Sequence, residues 1–297
     1  MKENKPNRAI PGVLLATSLL AGAAVPCAQA AAPVDTAEGE MAASQHAAAP
    51  AAPERSLSIG GGVAVLPLYE GSSRYAAFPS YALRGVLPTE RWGTFTATLP
   101  EGLRWDLPIH GRVGIALLGG YDAGRKEKIS TLGGNDHYLA GMGDLDSTPM
   151  IGAEVYLRLP TGRLFVRGMQ STRERRYGGD NLGHTTYLDA GVMDTRPVSQ
   201  LLTINTAFYA TWSDDHDMMA RFGVTRQQSE HSDFREYHAG GGLRDVTLKT
   251  AATLQMSPHV ALEGGFKVYA LVSGARHSPL TDDTVGAGVF LNALYRF

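Results

Sequence analysis

From residue 57 to residue 297 the chain repeats one arrangement, apolar side chains at every second position with small or charged residues between them. In 285–297, Val285, Ala287, Val289, Leu291, Ala293, Tyr295 and Phe297 fall on one face, while Gly286, Gly288, Asn292 and Arg296 fall mostly on the other. Residues 151–159 set Ile151, Ala153, Val155, Leu157 and Leu159 against Gly152, Glu154, Tyr156 and Arg158. Val246, Leu248, Thr250, Ala252, Leu254 and Met256 oppose Asp245, Thr247, Lys249, Thr253 and Gln255, and Val260, Leu262, Gly264, Phe266, Val268 and Ala270 oppose His259, Glu263, Lys267 and Tyr269. A period of two is the mark of extended strand. Strands of a soluble sandwich average about five or six residues and hide one apolar face in a shared core. These run to about nine to eleven residues with charge on the other face, the apolar-out, polar-in pattern of outer-membrane barrels.

The pattern predicts twelve strands, at 57–66, 78–87, 92–99, 102–108, 113–122, 148–159, 163–173, 184–194, 201–212, 243–256, 259–271 and 284–297. The expected fold class is all-β, a closed antiparallel transmembrane barrel of about 12 strands. Connections at 88–91, 109–112, 160–162, 196–200 and 257–258 are short and turn-like, whereas those at 67–77, 123–147, 174–183, 213–242 and 272–283 are long. Only Pro100-Glu101 breaks the alternation. An even strand count with periplasmic turns and longer outer loops is the outer-membrane arrangement.

The first 30 residues read as a secretory signal, with Lys2, Lys5 and Arg8 before the apolar run "VLLATSLLAGAAV" and a small-x-small cut at Ala28-Gln29-Ala30. Residues 31–55, rich in Ala and Pro and without period, are expected to form a flexible leader, leaving 56–297 as the barrel. Cleavage would remove Cys27, the only cysteine, so no disulfide is expected. No later stretch has 18 consecutive apolar residues, and a membrane position therefore requires a closed barrel. With 27 basic and 29 acidic residues, no nucleic-acid partner is expected. The expected address is the outer membrane of a Gram-negative bacterium, with its lipid as solvent.

Trp92, Trp105, Trp212, Tyr295 and Phe297 fall at or near predicted strand ends, where aromatic rings suit a membrane interface. The terminal "LYRF", with Tyr295 and Phe297, is similar to the C-terminal signal that the barrel assembly machinery recognises by strand addition. Two regions carry a family likeness. "GGGVAVLPLYEGSSRYAAFPSYALRG" at 60–85 resembles the Pro-x-Tyr-Glu-Gly-Ser opening of the MipA/OmpV family, the MltA-interacting outer-membrane proteins. "RFGVTRQQSEHSDFREYHAGGGLRDVTL" at 221–248, with "SPL" at 278–280 and "YRF" at 295–297, resembles its C-terminal half, and "YDAGR" at 121–125 with "LAGMGDLDSTPMIGAEVYL" at 139–157 its central segment. The resemblance implies an outer-membrane barrel that brings a murein-cleaving lytic transglycosylase and a murein synthase together, or one that acts as a surface adhesin. "SGARHSPL", with Arg276 and His277, stands where the family carries an acidic stretch, so a partner role of that loop does not carry over.

Candidate chemistry is sparse. "WSDDHDMM" at 212–219 gathers three Asp and one His, which reads as a solvated outer loop with an oxygen-rich cation site as the alternative. His231, Asp233, Ser229 and Ser232 lie close in sequence, yet no recognised nucleophile motif surrounds them. The runs Gly60–Gly62 and Gly240–Gly242 lack the strand-then-helix setting of a phosphate loop. Tyr69 and Glu70, in the first outer loop, are candidates for stitching loops together or for touching a ligand. Arg104, Asp106, Glu154, Arg158, Asp245, Lys249, Glu263 and Lys267 are expected to face the lumen with mixed sign. Unpaired charges are too costly to bury, so pairing across the lumen would brace it. The expectation is a non-enzymatic scaffold without cofactor or metal; a small-solute pore and a surface adhesin remain as alternatives.

Overall fold

The computed structural model describes residues 55–99 and 102–297. Residues 1–54, where the signal peptide and most of the leader are expected, and Pro100-Glu101 lie outside the described residues. Twelve strands close into one antiparallel barrel: β1 (Ser56–Pro67), β2 (Tyr75–Thr89), β3 (Gly93–Leu99), β4 (Gly102–Asp106), β5 (Val113–Asp122), β8 (Thr148–Arg158), β9 (Gly162–Ser171), β12 (Thr186–Pro197), β13 (Leu202–Ser213), β14 (Gly242–Gln255), β15 (Val260–Leu271) and β16 (Val285–Arg296). Neighbours in sequence are neighbours in the wall, and β1 closes the ring by pairing with β16, Ser58 opposite Arg296 through Val65 opposite Val289. The twelve strands expected from the alternation are all present, with β2 longer than expected and β4 shorter.

The alternation decides which side chain meets which medium. Leu57, Ile59, Val63 and Val65 of β1, Ile151 and Val155 of β8, and Val289, Leu291 and Tyr295 of β16 lie exposed on the outside, while Ala64, Glu154, Tyr156, Asn292 and Leu294 are buried. A continuous apolar belt on this scale exceeds what a soluble monomer exposes, and closure leaves no sheet edge unpaired in lipid. The chain is thus an outer-membrane β-barrel. Phe95 stacks on Trp105 with ring centroids 5.3 Å apart, and the Trp105 indole donates to the Trp92 carbonyl at 2.5 Å, placing aromatic rings around the short-turn end.

The wall is uneven. β3 and β4 are only seven and five residues long, and pairing of β2 with β3 begins at Leu83 opposite Leu99. Residues 75–82 of β2 therefore have no strand partner on that side among the described residues. Pro79 sits in this stretch, where a missing N–H breaks no ladder. The gap is bridged from a loop: the Leu132 N–H donates to the Ala77 carbonyl at 3.0 Å.

The long connections are long as expected, and they carry hairpins and helices of their own. Residues 123–147 contain the hairpin of β6 (Ile129–Thr131) and β7 (Gly134–Asp136). Residues 174–183 hold that of β10 (Arg175–Tyr177) and β11 (Asp180–Gly183). Residues 213–242 hold α1 (Asp215–Phe222) and α2 (Arg226–His231), and α3 (Ser273–Arg276) lies between β15 and β16. Asp214 caps α1 by accepting from the Asp217 N–H, and Thr225 and Gln228 form a reciprocal capping box on α2. These pieces share an apolar core with the barrel rim: Leu68, Tyr69, Phe78, Ile129, Leu139, Met142, Tyr177, Val224, Phe234 and Leu280 are all buried together. Such segments are too short to be stable alone; packing over the barrel mouth holds them as one cap.

Candidate functional site: a braced lumen beneath a folded cap

Toward the short-turn end, the lumen is crossed by an ionic belt. Glu154 on β8 is fully buried and receives Arg104 of β4 at 2.9 Å and Arg163 of β9 at 3.2 Å. Arg104 also grips Asp106 at 2.9 Å, and the Tyr156 hydroxyl donates to Asp106 at 3.0 Å. Arg158 closes the lower edge by donating to the carbonyls of Gly111 and Val113 at 2.7 and 2.8 Å. Gly114 makes this possible, since a Cβ there would stand 2.3 Å from the Tyr156 ring. On the far wall Arg84 of β2 faces Glu263 of β15 at 3.6 Å. One carboxylate serving two guanidinium groups is the geometry that keeps buried charge tolerable.

At the other end the cap is tied to the barrel by a second ionic cluster. Asp217 of α1, only 2% exposed, accepts from Arg221 at 3.1 Å and from Arg244 of β14 at 2.9 Å, and takes the Ser213 hydroxyl at 2.6 Å. Arg221 continues to Asp122 of β5 at 3.0 Å and approaches Glu70 at 3.6 Å. Arg175 reaches the same Asp122 carboxylate at 3.1 Å. Burial alone would raise the Asp217 carboxyl, but Arg221 and Arg244 outweigh it and hold it below its ordinary value. Burial would likewise lower the Arg221 guanidinium, and Asp217, Asp122 and Glu70 instead hold it above its ordinary value.

The cluster at 212–219 is therefore not the solvated loop expected from its charge. Asp214 caps α1, Asp217 is buried between arginines, Asp215 accepts from the Gly241 N–H and His216 Nδ1 meets the His184 carbonyl at 3.0 Å. Among the described residues no three His, Cys, Asp or Glu side chains group closely enough to hold a metal ion. Ser229 donates to the Arg226 carbonyl, Ser232 to the Gln228 carbonyl, and His231 Nδ1 meets the Gln227 carbonyl. Each of these three is engaged with its own helix backbone.

Tyr69 is buried and stacks 6.4 Å from Tyr138. Burial and Asp282 push its hydroxyl above the ordinary tyrosine range. Asp245 accepts from Arg244 and Thr247, each at 2.8 Å. The Lys249 ammonium lies 5.0 Å over the Tyr209 ring, and that of Lys267 lies 5.1 Å over Tyr269. Tyr295 and Phe297 meet edge to face at 5.1 Å beside the β1–β16 seam.

Several residues of these clusters escaped the sequence reading. Arg163 and Arg167 alternate with outward Leu164 and Val166, so the period that found Glu154 also carries them; Arg167 pairs with Asp189. Arg244 is different. The register shifts between Thr211 and Trp212, which oppose Asp245 and Leu243. This bulge lets the consecutive Arg244 and Asp245 both turn inward, against the period of two.

Between belt and cap lies a cavity of about 250 Å³, lined by charged, tyrosine and apolar side chains from both tiers. Its lining includes Thr98, Gly102 and Tyr121, at the rim of the low wall.

Comparison with known proteins bears on what this arrangement belongs to. The chain is similar to the NanC porin structure at 8% identity, covering 80% of this chain and 98% of that one with a TM-score of 0.42. It is similar to the toluene transporter TodX of Pseudomonas putida at 8% identity, covering 87% and 92% with a TM-score of 0.35, and to the outer membrane protein OmpT of Vibrio cholerae at 9% identity, covering 77% and 68% with a TM-score of 0.34. A search of curated proteins found no match. The family model described as MltA-interacting protein MipA matches residues 59–297, all of the barrel and its cap but the first three residues of β1, and the chain belongs to that family.

Proposed function

We propose that this protein is a non-enzymatic scaffold that holds a murein-cleaving lytic transglycosylase, and through it a murein synthase, at the inner face of the outer membrane. The observation that carries this reading is the Glu154 belt, with Arg104 at 2.9 Å and Arg163 at 3.2 Å, lying beneath a packed cap. A lumen braced in this way is built for rigidity rather than for bulk passage. The family description, an MltA-interacting protein, supports the same reading.

The short-turn face supplies a docking surface. Arg91, Arg112 and Arg296 are exposed around it, together with Arg196, which pairs with Asp194, against Glu90 as the exposed acid among the described residues there. A surplus of positive charge on a rigid rim favours a partner with an acidic patch and speeds its encounter. The test is affinity capture with the folded barrel, in detergent, from lysate of the source cell. Recovery of a lytic transglycosylase or murein synthase, weakened by added salt, is expected. Recovery of neither by a heat-modifiable, folded sample would overturn the scaffold reading.

A further inference from the structure

We propose that the cavity between belt and cap takes a small, neutral, largely apolar molecule with one hydrogen-bond acceptor, which enters sideways from the outer leaflet over the short β3–β4 hairpin. The belt closes the chamber below and the packed cap closes it above. The side wall is different. β3 ends at Leu99 and β4 begins at Gly102, whereas residues 75–82 carry β2 further outward with no strand partner on that side among the described residues. Thr98, Gly102, Leu103 and Tyr121 of this low stretch belong to the cavity lining, so the cavity reaches the wall where the wall is lowest. Tyr81 and Leu99 on one side of the notch, and Leu103 and Tyr121 on the other, are exposed on the outer face, where the neighbouring medium is lipid. The β6–β7 hairpin crosses the notch, held by the Leu132 N–H on the Ala77 carbonyl at 3.0 Å and by Arg74 on Asp136 at 3.1 Å. That ion pair is partly exposed, and such pairs hold weakly.

The lining defines the ligand. Its charged groups answer one another, Arg104 and Arg163 with Glu154, Arg167 with Asp189, Arg221 with Asp122 and Arg244 with Asp245. A charged guest would have to break such pairs, and a neutral one leaves them intact. Leu66, Leu118, Met150, Met169 and Phe290 give the space apolar walls. One polar group in it stands apart. Tyr69 lines the cavity and is buried, and its hydroxyl has no hydrogen-bond partner among the described residues. Buried hydroxyls are nearly always partnered, and an acceptor on the guest would take this O–H. At about 250 Å³ the cavity lies below the roughly 300–1,000 Å³ of pockets for drug-sized ligands, so the guest is small. A side entrance into a chamber shut at both ends passes no ions across the membrane, so this inference goes beyond the scaffold reading and stands without it.

The test uses para-fluoroacetophenone, a neutral ring with one carbonyl acceptor, and para-fluoroethylbenzene, which lacks the acceptor, with the barrel in lipid nanodiscs. Fluorine NMR reads binding. A saturable bound resonance of para-fluoroacetophenone, distinct from that of probe dissolved in lipid, is expected. Tyr69→Phe removes an oxygen that no protein group engages, so the fold should tolerate it. This variant is expected to weaken para-fluoroacetophenone by about fivefold and to leave para-fluoroethylbenzene unchanged. Exchange spectroscopy should connect the bound resonance directly to the lipid-dissolved pool, and Arg74→Ala, which frees the hairpin, should speed that exchange by about fivefold. No saturable resonance, an affinity for para-fluoroacetophenone undiminished in folded Tyr69→Phe, exchange with the aqueous pool alone, or a rate unmoved by Arg74→Ala would overturn the proposal. Capture of murein enzymes is read separately, so failure here leaves the scaffold reading to its own experiment.

Discussion

Arg221 Nη2 stands 3.0 Å from Asp122 Oδ2, joining the first helix of the cap to the last residue of a barrel strand. The same guanidinium reaches Asp217 at 3.1 Å, so one side chain links helix, wall and rim. Removing one member of such a buried set leaves its partners uncompensated, at a cost of about 3–5 kcal/mol. Arg221→Ala is therefore expected to loosen the cap while the barrel stays closed. Limited proteolysis should cut within 213–242 in the variant and not in the parent, with heat-modifiable migration unchanged. Equal protease resistance would remove the role given to Arg221.

Glu154 anchors the belt below. Glu154→Ala leaves Arg104 and Arg163 facing each other without their shared carboxylate. Stability is expected to fall by about 3–5 kcal/mol, and the loss should be smaller in Glu154→Ala/Arg104→Ala than the two single losses added together. Strict additivity in urea unfolding of the refolded barrels would show that the two side chains do not act as a unit.

Acid should release the cap. The Asp217 carboxyl is held below its ordinary value by Arg221 and Arg244, which outweigh burial. A depressed folded-state pKa contributes stability above the unfolded value, about 3.9, and loses it as pH falls through the lower, folded one. The near-ultraviolet circular dichroism of the cap, which contains Tyr69, Tyr138 and Tyr177, should hold from pH 7 to about 4 and decline below. In Asp217→Asn that acid step should shrink; an unchanged step would assign it elsewhere.

Close packing at the rim gives a steric test. Gly286 lies against the ring of Tyr269, where a Cβ would stand 2.3 Å from the hydroxyl end. The Tyr269 hydroxyl in turn accepts from the Gly71 N–H at 3.2 Å. Gly286→Ala is expected to destabilise by about 1–3 kcal/mol through overpacking, and Tyr269→Ala in the same chain should relieve much of that increment. Thermal melting of the single and double variants reads both, and a neutral Gly286→Ala would contradict the contact.

The barrel was legible because its solvent imposes a strict rule on every second residue. Ile151, Val155 and Leu157 have no reason to alternate with Glu154 and Tyr156 unless one face meets lipid and the other a closed lumen. The cap was not legible. Its hairpins and helices are a few residues long, and what orders them is contact between segments distant in sequence, such as Gln228 donating to the Met142 carbonyl at 2.8 Å and Ser278 to that of Phe222 at 2.6 Å. Charge in 212–219 suggested solvent exposure because sequence cannot show that Arg244, carried inward by a bulge, awaits Asp217. Tyr69 and Glu70 were visible as candidates from turn composition, but their partners Tyr138 and Arg221 lie in other loops.

Planar-bilayer recording tests the central claim, a lumen braced at one end and capped at the other, most directly. The wild-type protein, inserted and heat-modifiable, is expected to show no steady conductance, while Glu154→Ala combined with Arg221→Ala should show discrete steps. Steady steps from the wild-type protein, indistinguishable from those of the double variant, would contradict it.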